Sequence, residues 1–130
     1  MIQLGTILKV VDKSGVVFAQ CIKVFGPKGK QAKMGDVVLV SVRWINPRRF
    51  SFLKPRKQIQ FARGTLHRAL IVRCRINFSR SPGIWIKFDE NSVVLVTKRV
   101  VPVTNRVFGP ILREFCMKWP SLGCVSRHII

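Results

Sequence analysis

The residues of this 130-residue chain that could act as nucleophiles, proton carriers or metal ligands are few: two histidines, five acids and four cysteines. Structural zinc sites favour short ligand pairs. Cys21, Cys74, Cys116 and Cys124 are widely spaced, the nearest two being separated by seven residues, and neither His67 nor His128 has a ligand partner three or four positions further along the chain. Nucleophilic catalysis needs a base beside the nucleophile and a third group to orient it. The sequence holds no G-x-S-x-G and no phosphate-binding glycine loop. Asp89 and Glu90 are adjacent, so in extended chain they point to opposite faces and make a poor acid–base pair. The expectation is a protein with no metal, no cofactor and no catalytic activity. Its cysteines are expected to be reduced, because no secretory signal is present.

Any chemistry therefore rests with the basic residues. There are 24 Lys and Arg against Asp12, Asp36, Asp89, Glu90 and Glu114, for a net charge of +19. So small a domain with so much charge repels itself and calls for a polyanionic partner. An anionic membrane is the poorer choice. No apolar run approaches the ~18 residues of a spanning helix, and the cations are not stacked on one amphipathic helix. Nucleic acid remains, with phosphates bound by Lys and Arg. The candidate RNA contacts are Lys9, Lys13, Lys23, Arg43, Arg48, Arg49, Lys54, Arg56, Lys57, Arg73, Arg75, Arg80, Arg106 and Arg113. Any single Lys among them is more readily an ordinary solvated surface group than a key contact.

The elements that must position these groups read as strands. Val and Ile dominate the apolar residues and suit a pleated sheet. Strand-like stretches run over 6–11, 16–25, 36–44 and 66–76, and a fifth starts after Pro82-Gly83 in two halves, 84–88 and 93–96. Turn signals such as Asp12-Lys13-Ser14-Gly15 separate them. Apolar residues alternate in Ile22-Lys23-Val24, in Val40-Ser41-Val42 and in Ile84-Trp85-Ile86, the period of one sheet face. Ala69-Leu70-Ile71-Val72 is continuous, as in a strand buried on both faces. The pattern predicts one mainly β domain over 1–130, a small five-stranded barrel whose closure removes exposed edges. Ile22, Val24, Val40, Val42, Leu70, Val72 and Ile86 are the expected core, and core packing is the expected role for most of Trp44, Trp85 and Trp119. Residues 45–64 combine prolines, basic residues and Phe50 and Phe52, and read as a basic loop excursion. Residues 109–125 read as helical: Pro110 to Met117 forms a short helix, Pro120 opens another turn, and Ile111, Leu112 and Phe115 face the barrel.

Several motifs in order resemble the universal ribosomal protein L-fourteen family of the large subunit. They are Met1-Ile2-Gln3 with Asp12-Lys13-Ser14-Gly15, then Cys21-Ile22-Lys23-Val24 and Gly35-Asp36-Val37-Val38. Next come Ala69-Leu70-Ile71-Val72-Arg73, Gly83, Phe88, Asn91 and Val94-Leu95, then Arg106-Val107-Phe108-Gly109-Pro110-Ile111, Arg113-Glu114 and Ser121-Leu122. The resemblance covers nearly all of the chain outside about 45–63. It implies a five-stranded β-barrel with two short C-terminal helical segments, bound to large-subunit ribosomal RNA on the subunit-interface side. It also implies a share in bridges to small-subunit ribosomal RNA. The implied neighbours are ribosomal proteins L-three and L-nineteen, with the ribosome silencing factor as a further partner.

The chain departs from the family pattern in places. Pro82-Gly83 stands where the family often has Asp-Gly, and suits a type II turn with Pro at its second position. Thr104-Asn105 replaces the common Gly-Thr, which puts the silencing-factor surface in doubt. Phe61-Ala62-Arg63-Gly64 replaces Lys-Lys-Gly-Asp. These departures point to an organellar, mitochondrial ribosome, with a bacterial cytoplasmic or chloroplast member as the alternative. The start, Met1-Ile2-Gln3-Leu4, runs straight into strand pattern without a leader, which suggests synthesis inside the organelle. The competing function is a free single-strand RNA-binding barrel acting in translation, which would expose aromatic residues on one sheet face.

Overall fold

The computed structural model describes residues 1–26, 29–47 and 61–130. The chain opens with β1 (Ile2–Gln3), β2 (Ile7–Val10), β3 (Val16–Phe25), β4 (Gln31–Ala32) and β5 (Val37–Ile45). It continues with β6 (Leu66–Arg73), β7 (Phe78–Ser79), β8 (Trp85–Ile86) and β9 (Ser92–Val96). A C-terminal segment follows, made of β10 (Val107–Ile111), α1 (Arg113–Lys118), α2 (Pro120–Val125) and β11 (Ser126–Ile129). Strands β2, β3, β5, β6 and β9 close a barrel in that order. Its pairings are antiparallel except the closing one, where β2 and β9 run parallel with Lys9 opposite Ser92 and Val10 opposite Val93.

Period-two alternation sorts the side chains into two cores. Leu8, Ala19, Cys21, Val40, Val42, Ala69, Ile71, Val93 and Leu95 fill the barrel. Leu70, Val72, Val94 and Val96 point out from the same two strands, β6 and β9, into a second core with Val107, Ile111, Leu112, Phe115 and Leu122. Ala69 to Val72 are thus buried on both faces, as their continuous run predicts. Each such aliphatic side chain contributes about 1.5–3 kcal/mol on burial, so the C-terminal layer holds to the barrel through several of them at once.

The first helix starts later than the sequence suggests, and the second opens at Pro120 as expected. Pro110 and Ile111 belong to β10, which pairs in parallel with β11, and helix α1 begins only at Arg113. The Ile130 amide donates to the Ile111 carbonyl at 2.9 Å and the Arg113 amide to the Ile130 carbonyl at 2.9 Å. The chain's last residues supply that pairing, which no local pattern around Pro110 could reveal.

Four other expectations are corrected. Ile22 is 44% exposed. The β3–β5 register shifts between Cys21 and Lys23, so Ile22 and Lys23 both face outward before Val24 returns to the interior. The two halves of the fifth strand part company: 92–96 closes the barrel, whereas Trp85–Ile86 pairs with Phe78–Ser79 in a separate hairpin, with Ile86 partly buried on the second core. Trp44 and Trp85 are exposed, and only Trp119 packs, with its ring 6.1 Å from that of Phe115. The hairpin turn runs Arg80 to Gly83, closed by the Gly83 amide on the Arg80 carbonyl at 3.0 Å, so Pro82 takes its third position and Gly83 its fourth, at φ +81°.

Both ends of the expected 45–64 excursion are described. Ile45 completes β5, and Phe61 is buried in the barrel core with its ring 4.9 Å from that of His67. Arg48, Arg49, Lys54, Arg56 and Lys57, with Phe50 and Phe52, lie outside the described residues.

Candidate nucleic-acid interface

Strand β6 ends at Arg73, where the register with β9 shifts between Ile71 and Arg73. The shift turns the guanidinium away from the interior and into the seam between barrel and C-terminal layer. There Nη2 meets Glu90 Oε1 at 2.7 Å, while Nη1 donates to the carbonyls of Phe108 at 3.1 Å and Pro110 at 3.4 Å. The arrangement requires glycine between those two carbonyls. A Cβ at Gly109 would stand 2.0 Å from Arg73 Nη1, and its φ of +84° is one that side-chain-bearing residues avoid. Two motifs separated by 34 residues of chain, Ala69 to Arg73 and Phe108-Gly109-Pro110, therefore form one structural unit.

Glu90 is the hub of this seam. Its other oxygen accepts from Lys9 Nζ at 2.8 Å, and Ser92 Oγ donates to Oε1 at 3.0 Å. Burial pushes the Glu90 carboxyl up, but the bonds from Lys9 and Ser92 and the charges of Arg73 and Lys9 outweigh it and hold the group below its ordinary range. Burial lowers the pKa of Arg73 while Glu90 raises it, and a guanidinium stays charged in either case. Asp89 faces outward, so the adjacent acids do not act as a pair. Around the seam opens a cleft of about 830 Å³ lined by Lys9, Arg73, Arg75, Asp89, Phe108 and Pro110, among others.

The Asp12-Lys13-Ser14-Gly15 turn braces the same seam from below. Asp12 is buried; Oδ1 accepts the Ser14 amide at 2.9 Å and Oδ2 the Leu95 amide at 3.0 Å. Burial pushes its carboxyl above the ordinary range despite those bonds. The Lys13 amide and the Thr104 hydroxyl both donate to the Arg106 carbonyl, at 3.2 and 3.3 Å. Thr104, a departure from the family pattern, thus helps fix the start of β10.

The candidate RNA contacts fall into groups. Lys13, Lys23, Arg43, Arg75 and Arg113 are exposed. Arg75 is steadied by the Asp89 carbonyl at 2.8 Å and Arg43 by the Gln20 side chain. Lys9 is half in solvent but paired with Glu90. Arg80 is held by Glu114 and by the Ile130 carbonyl at 2.9 Å. Arg106 lies over the Phe108 ring at 5.3 Å, with its Nε buried and unbonded among the described residues. Arg73 is buried with both of its Nη atoms spent on internal bonds, so its part is architectural. Lys9, Arg73 and Arg75 are brought to one cleft, and Arg106 lies against the Phe108 ring that lines it; Lys23 and Arg43 lie on another barrel wall. The sequence reading did not find Glu90 or Asp12 as organising residues. A lone acid among so many cations was the only available signal.

Among the described residues no group of three or more His, Cys, Asp or Glu could hold a metal ion, and no helix is long and apolar enough to cross a membrane. Cys21 and Cys74 are buried, and all four cysteines are free thiols.

A family model described as ribosomal protein L14p/L23e matches residues 1–130. The chain belongs to that family. It is a large-subunit ribosomal protein, and ribosomal L14p/L23e membership implies ribosomal RNA and other ribosomal proteins as partners. The match spans the seam just described, including Asp12, Arg73, Glu90 and Gly109.

Proposed function

We propose that the protein binds large-subunit ribosomal RNA at the subunit interface and contributes to a bridge with small-subunit ribosomal RNA. One observation carries the reading: four of the five acids are engaged by partners within the fold, and Asp89 alone faces outward. Asp12 is buried on backbone amides, Glu90 neutralises Lys9 and Arg73, Glu114 pairs with Arg80, and Asp36 accepts the Lys33 amide at 2.8 Å. Lys13, Lys23, Arg43, Arg75, Lys87, Lys98, Arg99 and Arg113 are left facing outward. A surface so charged needs an external polyanion, and phosphate contacts release counterions on binding.

Family membership supports L-three and L-nineteen as neighbours. The departures at Pro82 and at Thr104-Asn105 support a mitochondrial ribosome and a changed silencing-factor surface. A free RNA-binding barrel is favoured by one feature, the exposed pair Phe18 and Trp44 on one sheet face. Sedimentation through rising salt separates the two. A resident protein stays with large subunits, whereas a factor washes off. Arg113→Glu, on an exposed side chain, should then weaken subunit association more than large-subunit assembly. Equal loss of both, or of neither, counts against the bridging role.

A further inference from the structure

The outer wall of the barrel on β2, β3, the C-terminal half of β5 and the start of β6 is left bare by the described chain. The register assembles it in rows. Lys9 lies opposite Phe18 and Phe18 opposite Trp44; Ile7 lies opposite Gln20, Gln20 opposite Ser41, and Ser41 opposite Leu66. Ile7 is 63% exposed, Phe18 41%, Ile22 44%, Trp44 67% and Leu66 55%. Four adjacent strands at ~4.8 Å spacing make a face about 14 Å across. Five large apolar side chains gathered there differ from the single scattered hydrophobics of an ordinary surface. At the centre sits a polar pair, Arg43 donating through Nε and Nη2 to Gln20 Oε1. None of the ion pairs among the described residues includes Arg43.

We propose that this wall is the seat of a neighbouring polypeptide of the large subunit, one that presents aliphatic side chains to Ile7, Phe18, Trp44 and Leu66 and a carboxylate to Arg43. The proposal rests on the chain's place in the large subunit. The chemistry selects protein over RNA. Ile7, Ile22 and Leu66 offer a nucleobase no aromatic face, whereas stacking platforms for nucleic acid are aromatic and flanked by cations that track the backbone. Of the cations on the wall, Lys9 is already neutralised by Glu90 and Arg43 is held on the Gln20 side chain, which leaves Lys23 beside Ile22 at its edge. Covering Arg43 without a counter-charge would strand a guanidinium away from water, so the occupant brings the acid. This assigns a partner to a part of the barrel's outer surface that, among the described residues, the C-terminal layer does not reach.

The test uses assembled large subunits carrying a photoreactive phenylalanine analogue at position 18. The expected result is a crosslink to a segment of one large-subunit protein that is apolar and bears a carboxylate. Crosslinks to RNA alone, or none, overturn the proposal while leaving the large-subunit placement intact. A chain that fails to sediment with large subunits overturns both. In a second arm, Phe18→Asp with Trp44→Asp should reduce retention of that neighbour in salt-washed particles at least about tenfold, as loss of aromatic anchors does. Retention of the chain itself should not change. Arg43→Glu should weaken the neighbour, and reversing the facing carboxylate to Lys should restore it. Unchanged retention of the neighbour in these variants overturns the proposal.

Discussion

Two walls of one barrel meet different fates. Strands β6 and β9 send Leu70, Val72, Val94 and Val96 outward, and the chain's own C-terminal layer buries them. Strands β2, β3 and β5 send Ile7, Phe18, Ile22 and Trp44 outward, and these face solvent. The side chains are of similar kind and the strands alternate in the same way. What differs is whether later chain returns to cover them. Outward apolar residues on a barrel therefore divide into those that stabilise the fold and those left for something else to cover.

The comparison predicts a gradient of effects. The largest belongs to the covered wall: Leu70→Ala should cost about 2–5 kcal/mol in urea unfolding of the purified protein, the range for a fully buried leucine. A cost no greater than that of Trp44→Ala would break the distinction. Next comes the seam that joins the layer to the barrel. Gly109→Ala places a Cβ on Arg73 Nη1 and demands φ +84° of alanine. Backbone strain of about 1–2 kcal/mol plus the disturbed Arg73 bonds should give a loss of about 2–3 kcal/mol. Arg73→Lys should recover little, because an ammonium cannot span both carbonyls and Glu90 as a planar fork does.

Two carboxyls sharpen the contrast through pH. Asp12 is raised from its ordinary 3.8 by burial, so folding favours its protonated form. Its contribution is full below 3.8 and is lost as pH climbs through the folded value. Glu90 is lowered from 4.5, so its contribution is present above 4.5 and is lost as pH falls through the folded value. Asp12→Asn should abolish the first dependence yet destabilise by about 1–3 kcal/mol, since an amide offers one acceptor to two backbone donors. Glu90→Gln should flatten the acid limb and, with solvent screening, cost under about 1 kcal/mol at neutral pH. Unfolding curves across pH 3–8 on the order of one unit apart would show both. The smallest effects belong to the bare wall: Ile7→Ser and Trp44→Ser should each change the stability of the free protein by less than about 0.5 kcal/mol. A larger loss would mean that the wall is covered from within the chain.

The amino-acid sequence alone determined a good deal. The alternation and turn residues placed the barrel strands within a residue or two of 7–10, 16–25, 37–45 and 92–96. The continuous run Ala69 to Val72 announced a strand buried on both faces, and Ile111, Leu112 and Phe115 announced the layer that buries it. These are local signals, set by side-chain period and backbone preference. Tertiary structure decided the rest. Ile22 turned outward because of a bulge against β5, which alternation within one strand cannot report. Pro110 and Ile111 became strand because the last four residues return to pair with them. Arg73, one cation among 24 by composition, became an internal tie because Gly109 and Glu90 arrive from distant parts of the chain. Its fate, like the cover on each wall, depends on contacts between residues far apart in sequence, and those exist only once the chain has closed on itself.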